Sequence, residues 1–236
     1  MNTGETKLAL KGSHHNYVLA IAIDTYKFHS PLQNPVKDCE ALLGVLSLRY
    51  EFDLEKDNFK FLRTSTATKK EIYKAFRQYQ PSIDGSRKGL TTNENLLVIF
   101  SGHGHFDPGQ GMGFWVPFEA ETGEEAFGSD FIANSDILSW LNACGAYQIT
   151  LIADTCFSGS LLSTDAGIGY RLKNSLPAPY VLASGRVQEV SDGYNMSPFI
   201  QRLIATLKAH EKGALFLQDI GKQVLTSYEW KTNQTP

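Results

Sequence analysis

The 236 residues carry 22 Lys and Arg against 25 Asp and Glu, for a formal charge of −3 and a sequence pI near 6.1. That balance supplies no broad basic field of the kind that nucleic acid or an anionic membrane attracts, so neither is expected as a partner. With 42% hydrophobic residues, 14 Phe and 10 Tyr, the composition excludes a disordered chain and suits one domain with a sizeable core.

Residues 1–15 open on a polar stretch, Met1-Asn2-Thr3-Gly4-Glu5-Thr6-Lys7, and read as a flexible tail that includes the pair His14-His15; a single domain is expected over 16–236. The first apolar run, Tyr17 to Ile23, is too short for a membrane helix and too far inside for a signal peptide, which points to the cytoplasm. It reads as a buried strand. Apolar residues at every third or fourth position then predict a helix over about 36–48, which carries Cys39. Phe59 to Leu62 is a short strand, and Thr68 with Glu71 forms a capping box at the start of a helix over 68–79. Asn95 to Phe100 is a second long apolar strand. Gly109-Gln110-Gly111-Met112-Gly113 resembles a nucleotide loop only in its glycines, and it leads into the strand-like Phe114 to Phe118, so a hairpin turn is expected. A helix over 135–142 ends near Cys144, and strands follow at 149–153 and 180–183. Ser197-Pro198 caps a helix over 197–208, and a last helix is expected over 215–228. The strands lack polar alternation and alternate with helices, which predicts an α/β domain: a mostly parallel sheet with helices on both faces.

Ligands of such sheets bind beyond the carboxyl ends of the strands. Two of those ends carry reactive groups. The strand ending at Phe100 runs into Ser101-Gly102-His103-Gly104-His105, and the strand ending at Ala153 runs into Asp154-Thr155-Cys156-Phe157-Ser158-Gly159. Flanking glycines give the His103 imidazole little steric cover and leave the neighbouring N–H groups open, as a general acid/base requires. Cys156, just past a strand end, is placed to be activated by a nearby imidazole. His105 is a second candidate base. Cys39 and Cys144 have no such histidine and read as structural; three scattered cysteines also make neither a disulfide framework nor a CxxC zinc pair. The histidine pairs lack the carboxylates or cysteines that would complete a metal site.

The histidine precedes the cysteine by about 50 residues, the separation found in caspases. Ser101-Gly102-His103-Gly104 resembles the histidine motif of caspases and metacaspases, and Asp154-Thr155-Cys156-Phe157-Ser158-Gly159 resembles the metacaspase-type cysteine motif. Leu32-Gln33-Asn34-Pro35-Val36-Lys37-Asp38 is similar to the family's first-loop motif, and Ser191-Asp192-Gly193 with Ser197-Pro198-Phe199 to a later one. The resemblance implies a caspase-like three-layer sandwich on a six-stranded, mostly parallel sheet, and a cysteine endopeptidase acting on protein or peptide substrates. It implies that Cys156 attacks the scissile carbonyl, that His103 handles the leaving-amine proton, and that the N–H groups of Gly104 and Cys156 form the oxyanion hole. Asp38, Ser101 and Asp154 would line the primary pocket, whose charge favours Arg or Lys before the cut. The alternative reading of Asp38 and Asp154 is a solvated helix charge and an ordinary cap.

Phe157 stands where histidine is frequent in metacaspases, and no acidic cluster is assignable to calcium, so no cofactor is expected. Arg171 and Lys173 lie after the cysteine, where family members are cleaved to mature. The family also implies regulated proteolysis, in stress, cell death or defence, with any sensor a separate chain or a region absent from this sequence. The ending at Thr235-Pro236 is abrupt for the family, as in a trimmed chain. The rival expectation is a caspase-like pseudoenzyme that binds a partner through the same cleft.

Overall fold

The structure is a computed structural model that describes residues 15–50, 52–55, 57–156, 179–184, 195–210 and 217–226. Its main sheet contains β1 (His15–Ala22), β2 (Phe59–Arg63), β3 (Glu94–Ser101), β7 (Gln148–Asp154) and β8 (Tyr180–Ala183). They pair in the order β2-β1-β3-β7-β8, all parallel. The described residues thus give five strands in this sheet, where the family resemblance implied six. The chain runs outward from β1 to β2, returns to the other side of β1 as β3, and continues in the opposite direction. In open sheets of this kind ligands bind where the strand order reverses, which here is at the carboxyl ends of β1 and β3.

Successive side chains of a strand face opposite ways, and both faces here are apolar. On one side Leu19, Ile21, Val98 and Leu151 pack against α2 (Lys69–Gln78) and α4 (Asn134–Asn142), through Ile72, Phe76, Ile137 and Leu141. On the other, Val18, Ala20, Ile99 and Ile152 pack against α1 (Pro35–Tyr50), α5 (Pro198–Ala209) and α6 (Leu217–Thr226), through Leu42, Leu46, Leu203 and Ile220. Each fully buried large apolar side chain contributes about 1.5–3 kcal/mol, so a strand buried on both faces holds the three layers together.

The expected caps form in part. Thr68 Oγ1 accepts from Glu71 N–H at 3.2 Å, but the Glu71 carboxylate turns to Lys74 Nζ at 2.6 Å, so one half of the box is made. Ser197 caps α5, with Pro198 at its first position.

Beyond β3 the chain leaves the main sheet. β4 (Gly104–Asp107), β5 (Met112–Trp115) and β6 (Ile132–Ala133) make a small antiparallel sheet, with α3 (Glu124–Ser129) inserted before β6. The glycine-rich run is the turn of the β4–β5 hairpin: Asp107 Oδ1 accepts from Gly109 N–H at 2.8 Å, and Gly111 takes a φ of +64° that favours glycine. Trp115 stacks on Phe100 with centroids 3.9 Å apart and planes 5° off parallel, which clamps the hairpin to β3. Among the described residues no helix is long and apolar enough to cross a membrane.

Candidate active site

Ser101, at the end of β3, is in register with Ala22 of β1 on one side and Asp154 of β7 on the other. Three strand ends therefore stop at one level. His103 follows β3 in the joint between the two sheets, and Cys156 follows β7.

The two glycines around His103 have a different purpose from the one their small size suggested. They permit close packing, and they leave the backbone less open than expected. A Cβ on Gly104 would lie 2.2 Å from the carbonyl oxygen of Cys156 and 2.6 Å from Thr155 Oγ1. A Cβ on Gly102 would lie 2.7 Å from the Tyr26 hydroxyl. The His103 N–H is not open either, because it donates to Tyr26 Oη at 2.6 Å. The main chain entering β4 and the main chain of Cys156 are thus in direct contact, which brings the histidine and cysteine segments together.

His103 is also held through its ring. Nε2 lies 2.8 Å from the carbonyl oxygen of Ser30, and since a carbonyl only accepts, Nε2 carries the proton and Nδ1 is the basic nitrogen. The Tyr26 ring lies 4.7 Å from the imidazole at 41°, and His29 lies 6.3 Å away. Burial pushes the Tyr26 phenol far above its ordinary range, and the phenol lies within electrostatic reach of both Asp24 and Cys156.

The segment carrying Cys156 is braced by Ser184, at the end of β8. Its N–H donates to Ala153 O at 2.9 Å; its hydroxyl accepts from Thr155 N–H at 3.1 Å and lies 3.3 Å from Thr155 O. Ser184 is wholly buried and Thr155 nearly so. Cys156 itself is half-buried, whereas Cys39 and Cys144 are buried. Burial raises both of those thiols, Cys144 to about 12, consistent with packing residues rather than nucleophiles.

Asp38, in the first turn of α1, and Asp154 are 1% and 7% exposed, which overturns the solvated reading of Asp38. Both meet Ser197. Its backbone N–H donates to Asp38 Oδ2 at 2.7 Å, its hydroxyl donates to Asp154 Oδ2 at 2.5 Å, and Ser197 Oγ accepts from Ile200 N–H at 3.1 Å. One serine joins two carboxylates and starts a helix. Ser101, 3% exposed, lies beside Asp154 through the strand register.

His105 sits within β4 opposite Phe114, its ring 5.7 Å from Phe131, and burial lowers its pKa. The sequence placed it beside His103 in a loop; the structure makes it part of the hairpin. Phe157, Ser158 and Gly159, Arg171 and Lys173, and Ser191 to Gly193 lie outside the described residues. Tyr26, Ser30 and Ser184 went unread in the sequence, although all three stand just beyond strand ends on the same edge of the sheet as His103 and Cys156. Among the described residues no cluster of three or more His, Cys, Asp or Glu is arranged to hold a metal ion.

Comparison with known families matches residues 15–235 to the caspase domain of the C14 peptidases. The chain belongs to the caspase-domain family. A search of curated proteins finds no match. This caspase domain carries its family's α/β architecture, a mostly parallel sheet between helices, and its family is one of cysteine peptidases.

Proposed function

We propose that this caspase domain is a cysteine endopeptidase in which Cys156 is the nucleophile, His103 the acid/base, and a basic residue precedes the cut. The observation that carries the reading is the backbone contact between Gly104 and Cys156, which makes neighbours of two reactive residues far apart in sequence.

The Cys156 sulfur attacks the scissile carbonyl as its thiolate. A carbon–sulfur bond forms and the carbonyl oxygen becomes an oxyanion, which the N–H groups of Gly104 and Cys156 would receive. Backbone donors of this kind are worth roughly 100–1000-fold in rate. His103, basic at Nδ1 with Nε2 directed to Ser30, takes the Cys156 thiol proton on Nδ1 as the thiolate forms and passes it to the leaving amine as the carbon–nitrogen bond breaks. Water then attacks the thioester, giving up a proton to His103 and releasing the acid and the thiol.

Asp38 and Asp154 support a preference for Arg or Lys. Two buried carboxylates fastened to one serine supply negative charge, and Ser101 adds a hydroxyl at the same level. On this reading the domain begins with β1 at His15, one residue before the boundary read from the sequence, acts in the cytoplasm on protein substrates, needs no cofactor, and serves regulated proteolysis under a separate activator. Arg171 and Lys173 supply basic positions for self-cleavage.

The test is cleavage of a peptide library by the wild type and by Cys156→Ala, with labelling by an electrophilic peptide in parallel. Cuts after Arg or Lys that disappear in the variant, together with a label on Cys156, are the expected result. Cuts after other residues would remove the pocket assignment, and cleavage that survives in the variant would remove the nucleophile.

A further inference from the structure

The connection from Ile23 to Asn34 contributes no group to the proposed chemistry, yet it grips His103 at two places. Ser30 takes the ring through its carbonyl, and Tyr26 takes the main chain through its hydroxyl. We propose that Tyr26 is a positioning residue for His103, fixing the backbone from which the imidazole is aimed at Cys156 and the substrate. This rests on the reading of His103 as the acid/base.

Four observations converge on it. The hydroxyl accepts the His103 N–H at 2.6 Å, so the amide of the residue that must be aimed has a side-chain anchor. The phenol ring lies 4.7 Å from the imidazole and limits its swing, while packing on the core beneath. Gly102 leaves room for that hydroxyl, since a Cβ there would stand 2.7 Å from it. The connection is itself tied down: Lys27 N–H donates to Phe118 O at 2.9 Å, Leu32 N–H to Asp24 O at 2.7 Å, and Val36 N–H to Asp24 Oδ1 at 2.9 Å. An anchor is only as firm as its own mooring, and this one is moored to the hairpin side and to the start of α1.

Tyr26 does not touch reacting atoms in this role. Its phenol stays neutral at any working pH, so it serves as a fixed acceptor. Replacing it by Phe keeps the ring and removes the acceptor, which leaves the His103 amide without its partner and the imidazole less firmly directed.

The experiment uses the full chain as wild type, Tyr26→Phe, His103→Ala and Cys156→Ala, assayed on an Arg-terminated fluorogenic peptide well below the unfolding temperature of each. Misplacing a catalytic group by about an ångström costs up to ~100-fold. The expected result for Tyr26→Phe is therefore a kcat lowered ~10–100-fold with KM within about two-fold. The His103 imidazole resonance, followed by NMR across pH, is expected to titrate at a changed midpoint. A kcat within three-fold of wild type with an unchanged titration overturns the proposal, as does a loss of kcat that tracks only the unfolded fraction. Activity that survives in His103→Ala or Cys156→Ala defeats the catalytic reading instead. The NMR titration of Tyr26→Phe still reports then whether the Tyr26 hydroxyl fixes the backbone that aims the His103 ring.

Discussion

Substituting Gly104 by alanine adds a single methyl group at the tightest contact of the site. That carbon would meet the Cys156 carbonyl oxygen at 2.2 Å and Thr155 Oγ1 at 2.6 Å, so the strands must separate by roughly an ångström to restore ordinary contact at about 3.5 Å. The Cys156 side cannot yield easily, because Ser184 holds Thr155 and Ala153, and Gly102 N–H meets Asp154 O at 3.3 Å. Overpacking of this kind costs about 1–3 kcal/mol, and a chain of this length loses roughly 2–4 °C in Tm per kcal/mol, so a fall of roughly 2–12 °C is expected. The separation opens the gap between His103 and Cys156, so kcat/KM should fall by up to ~100-fold at a temperature where the variant is folded. Gly44→Ala provides the contrast. Gly44 is exposed inside α1 with nothing within 4 Å of its added carbon, and alanine there should stabilise by about 0.5–1 kcal/mol with activity unchanged. Thermal unfolding and steady-state kinetics on both variants decide the matter. A Gly104→Ala protein within 2 °C and three-fold of the wild type would refute the contact between the two backbones.

Ser197→Ala removes a helix cap worth about 1 kcal/mol and a hydroxyl bond to a carboxylate worth about 1.5–3 kcal/mol, so roughly 2.5–4 kcal/mol of stability should be lost in denaturant unfolding. A double-mutant cycle with Asp154→Asn should return a coupling of at least ~1 kcal/mol, and simple additivity would speak against the bond. In native protein, iodoacetamide should modify Cys156 well before Cys39 and Cys144, giving one adduct by mass spectrometry at short times and three in denaturant; early labelling of Cys144 would contradict its burial. His105 titrates below its ordinary 6.5 because burial, aided by His29 and opposed by Asp107, disfavours its charged form. The unfolded chain therefore binds that proton more readily, and the stability His105 contributes is complete above pH 6.5 and is lost as pH falls through its lowered folded pKa. His105→Gln should lose less stability than wild type over that acid window, and an equal loss would reject the assignment.

The long elements were legible because they are buried on both faces, which leaves an unbroken apolar run such as Tyr17 to Ile23 or Asn95 to Phe100. Their order, with helices between, was enough for the layered architecture. The stretch from His105 to Ala133 was legible only at its glycine-rich hairpin turn: it holds three short strands and a six-residue helix, each too brief to show a period. His103 and Cys156 stood out because reactive residue types followed strand ends in sequence. Tyr26 and Ser30 did not, since an acceptor hydroxyl and a main-chain carbonyl have no sequence signature. Ser197 was visible as a helix cap, but its bonds to Asp38 and Asp154 join residues 159 and 43 positions away, and only the folded chain shows them.

The place of Ser197 along the chain has a consequence for synthesis. A nascent polypeptide emerges from its amino end, so Asp38, His103 and Cys156 are all made before the serine that fastens the two carboxylates and starts α5. A product that stops short of residue 197 carries His103 and Cys156 and lacks the serine that joins the two carboxylates. A fragment of 1–190 also lacks α5 and α6, which cover one face of the sheet, so on the proposed reading selective cleavage should appear only once α5 has docked.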